Sequence, residues 1–521
     1  MSRLGVNEPN KNYFSNTEEV FNLVKMLLKE MYSKEISDVG MDLLYNGPST
    51  IFEIQSRLKL SFENVRNYLI IMLQNNIIQK SPNSKVEFAS YELKIEQILN
   101  ILFFPRTLNF IEKKYGTYAE MIFEQFFEFG VLTIDQIIEQ IQNEKKNGNV
   151  TNSNMVKEQI IELFKKLYED NIIMYSERAI DDESYYSVNL KRNNNFAEPK
   201  KGKNHIKKLL EKDKEKKGKS NKKKKLDKDE IKNRNIKLNE EEDEEEEEER
   251  ILNIVDKSQN EKDLNKTEEF YENNTKNNMH FYINFEQIKA EFQSEIVIDY
   301  INKNISHPAA IIAGELLKQH KISSFAIGMS EPISIEHIAK TYKSINYNQI
   351  EEIIKYNSEI FNKTNSYEVY LNLNKIKKNI KSKVIQNLII KKYSAEHFRV
   401  YNLLNLVGSL DQKIIIDLCL IPPKKVNYIT NQLFQEGFIK TESVNINGNN
   451  TLYYSVDEYL TIENILKMDF KIINNYKYYY NAQLNNIKNK FKGISKEKED
   501  LIKLTYIIDQ ICENILIMKF F

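Results

Sequence analysis

The stretch VGMDLLYNGPSTIFEIQSRLKLSFENVRNYLIIMLQNNII, from Val39 to Ile78, decides the fold. Its first helix is stopped by the Asn-Gly-Pro triplet at Asn46, and the Ser-Thr pair that follows caps a short second helix. Ser61 caps a longer third helix. After a polar turn, KVEFASY alternates apolar and polar residues as a half-buried strand does. Three helices followed by a two-stranded wing predict a winged helix.

The same order of elements recurs three more times. The second copy contains helices at Tyr118–Phe129, LTIDQIIEQI and Val156–Asp170, with strands NIIMYS and SYYSVNL. The third has helices Pro308–His320, Ile333–Tyr342 and Tyr347–Phe361 and the strand YEVYLNL; the fourth has Ala395–Leu406, DQKIIIDLCL and Pro422–Gln435 with strands FIKTESV and TLYYSV. Four copies of one order indicate duplication of a single unit.

The C-terminal segment has a different pattern. Leu501, Leu504, Ile508, Ile511, Ile515 and Met518 follow the alternating spacing of three and four residues that a heptad seam requires. An earlier helix repeats this rhythm from Leu466 to Phe491, and Gly493 separates the two. We therefore predict an antiparallel coiled-coil hairpin; the alternative is two helices buried in a larger core. The predicted fold class is mainly α with small β wings: four tandem winged-helix domains followed by a C-terminal α-helical coiled-coil hairpin.

A strongly charged stretch interrupts the chain. Fourteen lysines lie between Lys200 and Lys225, and every residue from Glu240 to Glu249 is acidic. Such segments bury too little apolar surface to offset the entropy of ordering. The predicted domains are a flexible N-terminus (1–16), winged helix 1 (17–92), winged helix 2 (93–190), a disordered linker (191–278), winged helix 3 (279–374), winged helix 4 (375–456) and the hairpin (457–521). A basic run, Lys222, Lys223, Lys224 and Lys225, is a candidate nuclear localisation signal; lysine-rich filler is the alternative.

Composition narrows the function. The 521 residues carry 75 basic and 75 acidic side chains, whereas proteins that bind duplex DNA alone are usually basic. The sequence has two cysteines, 14 glycines and no HExxH, P-loop or nucleophile-elbow motif, so we expect no enzyme, no cofactor and no metal site. No apolar run approaches the length of a membrane span.

Two kinds of contact surface are predicted from the third helices. In the first module Arg66, Asn67, Ile70 and Ile71 should point outward, and two exposed isoleucines favour a protein partner. The seam residues Leu504, Ile508 and Ile511 are further interface candidates. In the fourth module Lys424, Lys425 and Asn427 open the third helix, with Lys391 and Lys392 nearby, and are candidates for DNA contact. A lysine-rich surface without function is the alternative there.

The segment ILNILFFPRTLNFIEKKYGTYAEMIFEQFFEFGVLT, from Ile98 to Thr133, is similar to a stretch in the largest member of the winged-helix heterotrimer peculiar to RNA polymerase III. The family motif corresponds here to Phe104, Pro105 and Arg106, followed by Tyr115 and Gly116. The opening helix-turn-helix, DLCLIPPKKVNYITNQLFQEGFI of the fourth module and the C-terminal hairpin resemble the same family.

The resemblance implies a non-catalytic polymerase subunit in the nucleus. Its expected partners are the polymerase clamp, two smaller subunits, initiation factors and promoter DNA, single-stranded or duplex, during initiation and DNA opening on tRNA and 5S rRNA genes. The alternatives are another tandem winged-helix scaffold, similar to general transcription factor IIE or to cullins, and a repressor that binds duplex DNA alone.

Overall fold

The computed structural model describes residues 17–81, 89–146, 153–176, 271, 274, 279–318, 321–342, 345–364, 367–446, 449–489 and 494–521. The chain divides into two compact units, one of residues 27–284 and one of residues 1–26 with 285–521. The predicted N-terminal segment, nearly all of the predicted linker, the lysine run at Lys222 and the strand SYYSVNL lie outside the described residues.

The first winged helix lies in the unit of residues 27–284, apart from residues 18–26 of its first helix. Its elements are α1 (Glu18–Met31), α2 (Lys34–Asn46), β1 (Ser49–Thr50), α3 (Ile51–Leu58), α4 (Phe62–Gln74), β2 (Ile78–Lys80) and β3 (Ser90–Leu93). Thr50 and Glu53 form a capping box at the start of α3, and Ser61 accepts a hydrogen bond from Asn64 N at the start of α4. The antiparallel sheet has the order β1-β3-β2, which places β1 beside the wing.

The second winged helix is completed by a strand from far along the chain. It contains α5 (Ile95–Leu99), a 3-10 turn (Asn100–Phe103), α6 (Phe104–Tyr115), α7 (Thr117–Phe129), α8 (Ile134–Lys146), α9 (Ser153–Glu169) and β4 (Ile173–Tyr175). The partner of β4 is β5 (Phe281–Ile283), which also bridges Leu132. The predicted boundary at residue 279 assigned β5 to the third module, and this pairing assigns it to the second. Residues 176–280 are therefore an insertion within a wing.

The third winged helix belongs to the other unit. It comprises α10 (Phe285–Asn304), α11 (His307–Leu316), α12 (Lys321–Ile327), β6 (Ile333–Ser334), α13 (Ile335–Thr341), α14 (Tyr347–Tyr356), β7 (Phe361–Lys363) and β8 (Glu368–Leu371). Its sheet has the order β6-β8-β7, which matches the order in the first module. The long α15 (Leu373–Lys392) follows and leads to the fourth module.

The fourth winged helix has the longest wing among the described strands. Its elements are α16 (Ala395–Val407), β9 (Leu410–Asp411), α17 (Gln412–Cys419), α18 (Pro423–Gln435), β10 (Lys440–Ile446) and β11 (Asn449–Ser455). The sheet order β10-β11-β9 again places the first strand beside the wing. The two seven-residue wing strands pair along their full length.

The C-terminal hairpin consists of α19 (Glu458–Asn489) and α20 (Ile494–Phe520), which pack along each other. Residues 515–518 of α20 are all buried, and Ile517 belongs to the core cluster of the third module. Gln293 Nε2 donates a hydrogen bond of 2.6 Å to the carbonyl oxygen of Phe520. The end of the hairpin is thus embedded in a core, as the alternative prediction held. The predicted fold class, with helices, small wings and a helical hairpin, is confirmed.

Candidate interaction surfaces

The third helix of the fourth module, α18, differs in charge from the other third helices. Its sequence PKKVNYITNQLFQ carries no acidic residue, whereas α4, α9 and α14 each contain at least one glutamate. The buried side of α18 consists of Val426, Ile429, Thr430 and Leu433. The helix itself therefore contributes no carboxylate that would repel a phosphate backbone.

The outer face of α18 is a continuous polar stripe. Lys424, Tyr428, Asn431 and Gln435 are exposed and follow helical spacing opposite the core, with Asn427 beside them. The sequence prediction named only the N-terminal residues and missed Tyr428, Asn431 and Gln435. The sequence signal that could have identified them is their spacing of three and four residues along the helix, counted from Lys424. The stripe combines a cation, an aromatic ring and amides, which are the groups that contact phosphates and base edges.

The predicted lysines separate into two kinds. Lys425 Nζ lies 2.6 Å from Glu396 Oε2, and Lys392 Nζ lies 2.9 Å from Glu436 Oε2. Lys391 and Lys424 are exposed and form no ion pair within the part of the chain that the structure describes. The first turn of α18 has no side-chain cap, since Pro422 occupies the N-cap position. Lys424 at this uncapped turn is therefore the best placed of these lysines to meet an anion.

The predicted protein surface on α4 is only partly exposed. Arg66 is exposed and Asn67 and Ile71 are half-buried, but Ile70 is buried, so the prediction of two exposed isoleucines is wrong. The physical reason is that α4 is covered on more than one side: Ile70 lies away from the stripe of Val65, Leu69 and Met72 and is buried as well. At the C-terminal end of the helix, Val131 N of the second module donates a 3.0 Å hydrogen bond to Gln74 O. Part of the apolar surface on this helix is therefore involved in packing within the chain.

The interface candidates on α20 lie inside the hairpin. Leu504 and Ile511 are buried and Ile508 is half-buried. Leu501 and Leu504 pack with Tyr476 and Tyr480 of α19. The seam therefore joins the two helices of the hairpin, and these residues are not on a free outer face.

The Phe-Pro-Arg motif connects helices of the second module. Phe104 begins α6 and stacks on Phe127 of α7, with ring centroids 3.8 Å apart, and Pro105 occupies the first turn while Arg106 is half-buried. Tyr115 Oη donates to Asp170 Oδ2 at 2.6 Å, and Gly116 has φ of +89° between α6 and α7. These positions hold the helices of the module together.

Among the described residues, no group of three or more His, Cys, Asp or Glu side chains is arranged to hold a metal ion. No described helix combines the length and apolar character that a membrane span requires.

Taken together, the repeated sheet order and the terminal hairpin define a tandem winged-helix protein. Two family models match the chain: the RNA polymerase III subunit RPC82 helix-turn-helix domain over residues 22–81, and the POLR3C C-terminal winged-helix domain over residues 385–451. The second match contains α16 to α18, including the polar stripe.

Relatives match over much greater lengths. DNA-directed RNA polymerase III subunit RPC3 of Danio rerio is 18% identical over 481 residues, which cover 88% of this chain and 83% of the relative. The protein of the same name from Rattus norvegicus is 16% identical, and the match covers 82% of this chain and 76% of the relative. The one from Dictyostelium discoideum is 23% identical, and the match covers 29% of this chain and 26% of the relative. Over most of its length the chain is therefore similar to RNA polymerase III subunits named RPC3. These matches confirm the family resemblance seen in the sequence and the prediction that the chain is not an enzyme by itself.

Proposed function

We propose that the chain is a structural subunit of DNA-directed RNA polymerase III, and that it acts in the nucleus through protein docking with a secondary DNA contact. The observation that carries the proposal is the agreement between relatives of this name over more than four fifths of the chain and the tandem winged-helix architecture. Neither the IIE-like nor the cullin-like alternative is named among these relatives.

The docking part of the proposal has three components. The chain joins two smaller subunits in a detachable heterotrimer, the heterotrimer binds the clamp of the largest polymerase subunit, and the assembly supports promoter-specific initiation and DNA opening with initiation factors. The near neutrality of the chain supports docking through protein partners, because a neutral protein gains little from attraction to phosphates and needs partners to hold it at DNA.

The DNA contact is assigned to the outer face of α18. Lys424 and Lys391 supply cations that no carboxylate neutralises among the described residues, and Asn427 and Tyr428 are exposed beside Lys424. Lys425 and Lys392 are secondary candidates, because each must leave a glutamate before it can bind phosphate.

Affinity purification tests the docking part. A tagged chain should co-purify with the large polymerase III subunits and two small ones. Recovery of cullin partners, or of no polymerase subunit, would contradict the proposal. Tight and strongly salt-dependent binding of duplex DNA by the isolated chain would instead support the repressor alternative.

A charge reversal tests the DNA contact. Lys424→Glu combined with Lys391→Glu should reduce promoter opening by the reconstituted polymerase, with assembly unchanged. The matched control is Lys378→Glu with Lys355→Glu, since both lysines are exposed and lie on α15 and α14, outside the fourth module. Equal opening by the two double variants would remove the DNA role from α18.

A further inference from the structure

The outer faces of α16 and α17 carry aliphatic side chains that are exposed to solvent. The exposed fractions of these residues are 75% for Leu406, 57% for Val407, 40% for Ile414, 56% for Leu418 and 86% for Leu420. We call these five residues the aliphatic patch. The two helices pack against each other, and Arg399 Nη1 of α16 donates a 3.2 Å hydrogen bond to the carbonyl oxygen of Cys419. Exposed aliphatic side chains gathered on two packed helices mark an interaction site more often than a stability requirement.

The first module shows that the fold does not require this patch. Thr50 and Asp411 are the caps of the second helices α3 and α17, so the two modules can be aligned on them. Ile54 and Ile415 then occupy the same position, and both are fully buried. Counted from the same caps, the residues equivalent to the aliphatic patch are Tyr45, Asn46, Glu53, Arg57 and Lys59. The first module thus folds with polar or charged side chains at positions where the fourth module has aliphatic ones.

An ion pair in the first module indicates how the patch joins across the two helices. Arg57 Nη2 lies 2.6 Å from Asp42 Oδ2, so this position of the second helix meets the first helix. The equivalent residues in the fourth module are Leu418 and Leu403, and Leu403 is half-buried. Two leucines thus stand where the first module has a charged pair, and by this equivalence apolar residues face each other from α17 and α16.

Leu420 adds a backbone observation. It ends α17 with φ of +53°, and Lys59 ends α3 with φ of +54°. This left-handed conformation disfavours branched or bulky side chains, and glycine or asparagine is the usual choice at such a cap. Leu420 accepts the unfavourable conformation while its side chain points into solvent. Neither the backbone nor the core explains a leucine here, whereas presentation to a partner does.

The area of the aliphatic patch and the charges around it indicate what kind of partner binds there. Five such side chains offer a few hundred Å², well below the ~800 Å² per partner of a standard interface between folded proteins. The patch therefore suits one helix of a partner better than a second copy of this chain. Two exposed cations flank it, Lys413 of α17 and Arg399, which contacts the Cys419 carbonyl between Leu418 and Leu420; Asp417 is the nearby acid, and so the rim favours an acidic partner.

We propose that the aliphatic patch binds a short amphipathic helix of another polymerase subunit, with aliphatic residues at helical spacing and acidic residues beside them. The proposal rests on the proposed function, because it takes the partner from the same assembly. It concerns the outer faces of α16 and α17 and leaves the polar stripe of α18 free.

A variant that copies the first module tests the proposal. Ile414→Glu, Leu418→Arg and Leu420→Lys place residues of the first module at equivalent positions, so the fourth module should fold. The matched control is Ile322→Glu, Ile327→Arg and Tyr356→Lys, because these residues are also exposed and apolar but lie in the third module. Circular dichroism and thermal melting compare the folding of both triples, and Leu420→Lys alone is a milder variant of the patch.

Both triples are tagged and purified with the polymerase. The patch triple should recover at least about tenfold less of one polymerase subunit, and the control triple should recover it fully. Leu418→p-benzoylphenylalanine should crosslink on irradiation to an aliphatic and acidic helix of that same subunit. Full recovery with the patch triple, or a crosslink to a second copy or to another segment of this chain, would overturn the inference. If the unaltered chain recovers no polymerase subunit, the proposed function fails as well.

Discussion

The first and fourth winged helices share one backbone plan and present different surfaces. Both begin the second helix with a capped turn, both end it with a residue in the left-handed conformation, and both place a positive-φ glycine after the first helix, Gly47 and Gly408. Their outer faces diverge: the first module has the Arg57–Asp42 ion pair, and the fourth has the aliphatic patch.

This difference separates two kinds of requirement. Caps, core positions and positive-φ residues are kept because the backbone hydrogen bonds and the packing of the fold depend on them. Fully exposed side chains, such as those of the aliphatic patch, contribute little to stability and can change with the partner. The third helices also end differently, since α4 meets the second module and α18 meets α19, where Asn464 Nδ2 donates to Gly437 O at 2.7 Å.

The largest expected effect comes from the contact at the end of α4. Gly130 has φ of +80°, and a Cβ there would overlap the backbone of Gln74. Gly130→Ala should lower the free energy of unfolding by about 3 kcal/mol, because it combines an unfavourable backbone conformation with a backbone clash. Gly408→Ala is the control, since Gly408 has φ of +98° and open space around it; denaturant melts should give it a cost of about 1–2 kcal/mol. Equal costs would mean that the clash at Gly130 relaxes.

A buried carboxyl on the helix beside the fourth module gives a pH-dependent prediction. Burial raises the pKa of Asp469 to about 7, and its Oδ2 meets no hydrogen-bond partner among the residues that the structure describes. Between roughly pH 4 and 7 the folded chain then binds this proton more tightly than the unfolded chain, so stability falls as pH rises through that window. Between pH 5 and pH 8 this residue should account for a loss of about 2–3 kcal/mol. Asp469→Leu should remove that slope in melts across this range; an unchanged slope would contradict the prediction.

Removal of the ion pair in the first module should have a smaller effect. Arg57→Leu leaves the Asp42 carboxylate buried without its guanidinium and should cost about 2 kcal/mol. The double variant Asp42→Leu and Arg57→Leu copies Leu403 and Leu418 of the fourth module and should recover most of that loss. A double-mutant cycle measures the coupling. If the two single costs simply add, the pair is not the contact that distinguishes the modules.

The smallest effect is expected at the hydroxyl of Tyr115. Tyr115→Phe removes the hydrogen bond to Asp170 Oδ2 at an exposed site and should cost about 0.5–1 kcal/mol. Asp170→Ala should cost a similar amount and should not add to it. Chemical denaturation of the three variants measures this, and additive costs would show that the two side chains act separately.

Local sequence predicted most of the secondary structure. Ser61, Thr50 and Asp411 cap helices where the spacing of apolar residues indicates them, and the seam of α20 is buried as its heptads predict. Helical spacing counted from Lys424 along the sequence also predicts every residue of the polar stripe of α18, although the prediction named only residues in the first turns of that helix. These features follow from hydrogen bonds and periodicities within a few residues of chain.

Other features depended on contacts between distant residues. Burial of Ile70 could not be predicted from the apolar stripe of α4, because Ile70 lies away from that stripe and is covered by residues outside the helix. The pairing of Tyr175 with Phe281 joins residues separated by the long insertion, and hydrophobic alternation does not specify which of several strands is the partner.

The sequence by itself determined the repeated winged-helix modules, the family resemblance and the local charge of α18, because each depends on residues close together along the chain. Tertiary structure alone decided which strand completes the second wing, which lysines are held by glutamates and which aliphatic side chains stay exposed. Those outcomes depend on which surfaces pack against each other in the folded chain. Packing brings together residues that are far apart in the sequence, and their sequence separation does not predict the contact.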